Sequence, residues 1–179
     1  MGVCDSEQTA FGTFRGNGRS NCCIEAFERV QPQALSITVW AYATADISQP
    51  KLFEKVANHI VRLDSLERFN PQNLSNTVWA YATAGISHPQ MFEKVANHIV
   101  ESDSLDRFTH LQELSNTVWA YAKAGINHPK LFEKMANHIV RLDSLDRSNP
   151  QALSNTVWAY ATSGIHHPRL FEKVAKHIV

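Results

Sequence analysis

The chain has 179 residues, with 17 Lys and Arg against 17 Asp and Glu; 44% are apolar and only 19% charged. That composition suits a folded chain and excludes a disordered one. No run of 18 apolar residues is present, three Cys with two adjacent cannot frame a disulfide scaffold, and zero net charge argues against a strongly basic nucleic-acid binder.

Residues 1–23 hold all three Cys and four of the seven Gly and show no helical period, so they are expected to be irregular. Met1-Gly2-Val3-Cys4-Asp5-Ser6 fits a loose N-myristoylation pattern, but Asp5 and Glu7 are foreign to a transit peptide and no targeting peptide is evident. GTFRGNG lacks the Lys and Ser/Thr of a phosphate loop, and Cys22-Cys23 lacks zinc-site spacing.

From Ile24 onward the chain repeats. IEAFERVQP (24–32) aligns with LDSLERFNP (63–71), so 24–31 reads as the tail of a partial unit. Units then run 32–70, 71–109, 110–149 and 150–179. Their Trp residues, Trp40, Trp79, Trp119 and Trp158, all lie in the phrase LS(I/N)TVWAYA. The third unit carries one extra residue in FTHLQEL, which predicts a loop or helix start at that point. The array stops at Val179 without a polar capping unit, and it reads as a fragment of a longer array.

Each unit predicts two helices. In the second unit Asn70 precedes Pro71, a cap followed by Pro at the first helical position. Leu74, Thr77, Val78, Tyr81 and Ala82 follow at the spacing of one helical face, and Gly85 supplies a left-handed stop. In the third unit Thr109 and Gln112 could form a capping box instead. Ser87-His88-Pro89 starts the second helix, with Ser87 able to cap it. Met91, Phe92, Val95, Ala96, Ile99 and Val100 form its apolar stripe, and Leu105 and Phe108 pack as the chain returns. All seven Pro then stand at helix starts. The predicted fold is all-α: an α-solenoid of about four 39–40-residue helical-hairpin repeats.

The consensus phrase NPQxLSNTVWAYATAGIxHPxLFEKVANHIVxxDSLDRF, over about residues 24–179, resembles the octotricopeptide repeats. It also resembles the leucine-rich helical repeats of the Fas-activated serine/threonine kinase family. The likeness rests on Leu-(x)4-Trp-Ala in the first helix and His-Pro-x-Leu/Met-Phe in the second. These are organellar RNA-binding repeat proteins, of the type found in RNA-editing substrate-binding complexes. The resemblance implies single-stranded RNA as partner, a role in transcript processing, stability or translation, and an organellar location, the mitochondrion ahead of the chloroplast. No counterpart of the nuclease-like RAP domain of such proteins is present, so the expectation is a non-enzymatic chain without cofactor or small-molecule substrate. The alternative is an armadillo- or HEAT-like protein scaffold, favoured by the neutral charge.

Two rows of side chains are candidates for contact with RNA. At about 100° per residue, Gln72, Asn76 and Thr83 fall within about 20° of the point opposite Leu74. Their equivalents are Gln33, Ile37 and Thr44; Gln112, Asn116 and Lys123; Gln151, Asn155 and Thr162. Amides and hydroxyls can hydrogen-bond base edges. Trp79, on the border of that face, could stack a base or wedge against the next unit. On the second helix, Lys51, Lys55 and Arg62, then Lys94, then Lys130, Lys134 and Arg141, then Lys173 line one face as candidate phosphate contacts. A solvated helix face is the plainer reading of such lysines. His59, His98, His138 and His177 recur one per unit, roughly 10 Å apart if units stack at helix-packing distance, too far to share a metal ion. His88, His128 and His167 precede Pro and read as turn or cap residues.

Overall fold

A computed structural model describes residues 30–101, 103–142, 145 and 149–178. The segment 1–23, most of the partial unit 24–31, Gly2 and the three Cys lie outside the described residues.

Among the described residues the fold is all-helical, eight α-helices in four pairs. The first helices of the pairs are α1 (Pro32–Thr44), α3 (Pro71–Thr83), α5 (Leu111–Lys123) and α7 (Pro150–Thr162). The second helices are α2 (Pro50–Arg62), α4 (Pro89–Glu101), α6 (Pro129–Arg141) and α8 (Pro168–Ile178). The pairs stack as a helical-repeat solenoid, α1 on α3 on α5 on α7, with the second helices as the other layer.

Local chemistry sets the helix ends. Every Pro occupies the first helical position, where its missing N–H costs nothing. Asn70 and Asn73 form a reciprocal capping box: the Asn73 N–H donates to Asn70 Oδ1 at 2.7 Å, and the Asn70 N–H to Asn73 Oδ1 at 3.3 Å. Asn149 accepts from the Gln151 N–H at 2.8 Å. Gly85 has φ +66°, and the N–H of Ile86 reaches back to the Tyr81 carbonyl at 3.0 Å. This is a Schellman stop with an apolar residue just beyond it. Asp46 stands at the equivalent point after α1 and takes the same left-handed turn, φ +54°.

Two expectations about caps change. Three of the four second helices are capped by the histidines read as turn or cap residues, and Ser87 does not cap; Gln49, before α2, makes no side-chain cap bond. The Nδ1 atoms of His88, His128 and His167 accept from the N–H groups of Met91, Leu131 and Leu170 at 3.1–3.2 Å. The Nδ1 of an imidazole stands as many bonds from the backbone as the Oδ1 of an Asn or Asp cap, and it leaves the other ring nitrogen for a neighbour. The Nε2 of His167 lies 3.3 Å from Asn137 Oδ1 of the preceding pair. The capping box expected of Thr109 and Gln112 does not form. Helix α5 begins at Leu111 with His110 in the cap position, and Gln112 bonds Asn116 instead. The extra residue falls in the connection after α4, which holds a 3-10 turn over Asp103–Arg107. There it displaces Thr109 from the helix start.

The core runs between the layers. Leu74, Thr77, Val78, Tyr81 and Ala82 are buried, as are Met91, Phe92, Val95, Ala96, Ile99, Leu105 and Phe108. Tyrosines join consecutive pairs: Tyr81, Tyr121 and Tyr160 donate to the carbonyls of Phe53, Phe92 and Phe132 at 2.6–2.7 Å. Each ring also meets that Phe edge-on, with centroids 5.0–5.2 Å apart. Burial pushes all three phenols well above the ordinary tyrosine range, so they remain donors.

The two layers are unequally spaced. First helices approach one another closely along their length, whereas second helices touch more sparingly. Small buried residues allow this. Ser115 reaches the next first helix, and Ser75, Ala80, Ala120, Ala159 and the threonines Thr77, Thr117 and Thr156 are also buried. Ser115 Oγ donates to the Ala152 carbonyl at 2.9 Å, and Asn73 Nδ2 to Ser36 Oγ at 3.3 Å.

Candidate nucleic-acid interface

The apolar stripe of each first helix points at the second-helix layer, so the row opposite it points outward. Gln33, Gln72, Gln112 and Gln151 are exposed; Asn76, Asn116 and Asn155 are half-buried; Thr44, Thr83, Lys123 and Thr162 are exposed. Ile37, the first-helix equivalent of the Asn, is 48% exposed. Gln112 Nε2 donates to Asn116 Oδ1 at 2.9 Å, one turn along the helix, which orients both amides.

Beside this row the four tryptophans form a ladder. Trp40–Trp79, Trp79–Trp119 and Trp119–Trp158 have ring centroids 6.4, 6.3 and 6.4 Å apart, tilted by 28–36°. Each indole therefore wedges against its neighbour in the next pair. Trp79 and Trp119 stay half-exposed, and the end rings Trp40 and Trp158 are 41% and 44% exposed. The close spacing of the first helices brings these rings into line.

The basic row of the second helices lies on the opposite side of the stack. Lys51, Lys55, Arg62, Lys130 and Arg141 are exposed. Three lysines of the row turn inward to the preceding pair. Lys94 Nζ donates to the carbonyl of Val61 at 2.9 Å and to that of Leu63. Lys173 Nζ repeats this on Val140 at 2.9 Å and Leu142, and Lys134 Nζ bonds the Val100 carbonyl. An ammonium there satisfies orphan carbonyls and meets the negative end of the helix dipole. Sequence spacing alone hides this, because each acceptor lies 31–34 residues upstream.

Charge along the second-helix layer changes from groove to groove. Lys134, Asn137, Arg141 and Arg169 line the groove between α6 and α8, with Asp106 at its edge. The groove beside α4 carries Asp64, Glu93 and Glu101 with Lys94. The recurring histidines sit at the seams between pairs. His98 Nδ1 lies 3.9 Å from Glu67, and His138 Nε2 lies 2.9 Å from the Phe108 carbonyl. Burial holds the imidazole of His98 below its ordinary range, with Arg107 pushing the same way and Glu67 opposing. Glu113 sits at the start of α5, where Asn73 sits in α3. Its Oε2 is buried with no hydrogen-bond partner among the described residues. Burial pushes its carboxyl upward against the pull of His110. No helix among the described residues is long and apolar enough to cross a membrane.

No curated protein matches the chain. A family model, RNA-editing substrate-binding complex 6 protein, matches residues 17–179, nearly the whole chain and the entire helical stack. By that match the chain belongs to the RNA-editing substrate-binding complex 6 protein family.

Proposed function

We infer that the chain is a non-enzymatic RNA-binding repeat protein that works within an RNA-editing complex, in the mitochondrion. Its likeness to octotricopeptide and Fas-activated kinase-family repeats supplies the analogy for how helical pairs hold single-stranded RNA. The observation that carries the reading is the outward amide row beside a continuous tryptophan ladder, repeated pair after pair. Amides bond base edges, and indole rings stack bases at roughly 1–3 kcal/mol each. RNA then lies along the first-helix side. Phosphate contacts on this path are few, because Lys123 is the one cation among the candidate first-helix positions.

Anisotropy of labelled single-stranded RNA homopolymers across a salt series tests this. Binding is expected with a shallow log–log salt slope, about 1 or less. A slope of several would move the RNA to the second-helix layer, with Lys51, Lys55, Arg62, Lys130 and Arg141 on phosphates. Replacing Asn76, Asn116 and Asn155 with Ala should weaken binding about tenfold or more while leaving the far-UV circular dichroism unchanged. Unchanged affinity would place base reading elsewhere. The second reading, a protein scaffold, is favoured by that same scarcity of cations, and failure of all four homopolymers to bind would select it.

A further inference from the structure

Resting on the RNA-binding reading, we propose that the first-helix side selects a run of one repeated base, three nucleotides long. The argument starts from what differs between pairs. A modular reader distinguishes bases by changing the side chains it offers from one unit to the next. Here three consecutive pairs offer the same ones: Gln72 with Asn76, Gln112 with Asn116, and Gln151 with Asn155. In each, a Trp follows the Asn by three residues and joins the ladder. The backbone repeats too, since each of these helices has 13 residues and the same C-terminal turn.

In the third pair, Gln112 Nε2 donates to Asn116 Oδ1 and sets the chemistry of that pair. This bond leaves the Gln112 Oε1 as acceptor beside the Asn116 Nδ2 as donor. An acceptor beside a donor can bond the Watson–Crick edge of any base, so the choice of base falls to how each base also fits against the adjoining indole. Because the same Gln, Asn and Trp stand at three successive positions, whichever base one position prefers is preferred at all three. The first pair ends the run. Ile37, half exposed at the Asn position, can neither donate nor accept, and Gln33 has no amide partner one turn on. Lys123 replaces Thr at the far end of the third helix, away from the amide pair, and adds a phosphate contact without changing the base edge.

The test uses the full chain and labelled 12-nucleotide RNAs at low salt. Homopolymers identify the preferred base. A second series then grows a run of that base from one to five within mixed sequence. Affinity is expected to rise about fivefold or more with each added base up to three and then to flatten. In Ile37→Asn the rise should continue to four; the position is exposed, so the fold is unaffected. If mixed-sequence RNA binds as well as the best homopolymer and run length has no effect, the run-reading proposal is overturned while RNA binding stands. If no homopolymer binds, the underlying RNA reading is overturned with it.

Discussion

The two layers of the stack are built from the same repeat and hold together in different ways. The first-helix layer is joined by close approach of small residues: Ser115 reaches the backbone of Ala152, and Ala120 and Ala159 are sealed from solvent. The second-helix layer leaves more room, and its helices are tied by lysines that reach the carbonyls ending the preceding helix. Packing that depends on small volume is intolerant of added atoms. Packing that depends on a long cation tolerates bulk and is sensitive to loss of the charged tip. The layer that offers amides and indoles to a ligand is thus the rigid one, and the layer that carries the basic residues is the adaptable one.

The sharpest way to break this contrast is to add volume to each layer in turn. Ser115→Leu should cost about 1–3 kcal/mol in chemical denaturation, because the new side chain meets the backbone of α7. Val140→Leu, half-buried in the second layer, should cost less than about 1 kcal/mol. Equal costs would mean that the layers are equally tight.

Removing a cationic tie is the next largest effect. Lys173→Met keeps the aliphatic stem but loses the bonds to Val140 and Leu142. It should cost about 1 kcal/mol, and the loss should shrink at high salt. A cost that ignores salt would mean that packing of the stem, and not the charge, does the tying.

The smallest effect concerns titration at the seams. Glu113 has a raised folded-state value, so its contribution is fully present below the unfolded carboxyl range near 4.5 and is lost as pH rises through the folded value. Glu113→Gln should therefore stabilise the protein at neutral pH, by about 1 kcal/mol or less, and flatten that decline. His98 has a lowered folded-state value. Its neutral form stabilises the fold above the unfolded value near 6.5, and that stability is lost as pH falls through the folded value. Urea midpoints from pH 4 to 8, for wild type, Glu113→Gln and His98→Asn, read both signs.

Much of the fold is legible in the sequence because punctuation and period agree. Pro71 starts a helix, Gly85 stops it, and Leu74, Val78 and Tyr81 fill the face between them. The outward position of Gln72, Asn76 and Thr83 follows from the same helical wheel. What the sequence hides depends on neighbours in space. Nothing local says that Lys94 turns back to the end of α2, since the carbonyls it meets are orphaned only once that helix ends. Nor does spacing say that His88 outcompetes Ser87 as a cap, because the choice rests on where the chain turns into Pro89. The tryptophans were readable as either base-stacking or wedging residues. The ladder makes them wedges, with Trp79 and Trp119 still partly exposed beside the proposed RNA path.

The indole line has an optical consequence. Four rings in near contact, each 6.3–6.4 Å from the next, do not absorb or emit independently. Their transitions couple into one extended chromophore whose dichroism depends on the mutual tilt of adjacent rings. Excitation entering at one end can migrate to the other, provided every seam between pairs is closed. Opening any single seam cuts the line, so the protein's intrinsic light signal counts intact neighbours instead of individual tryptophans.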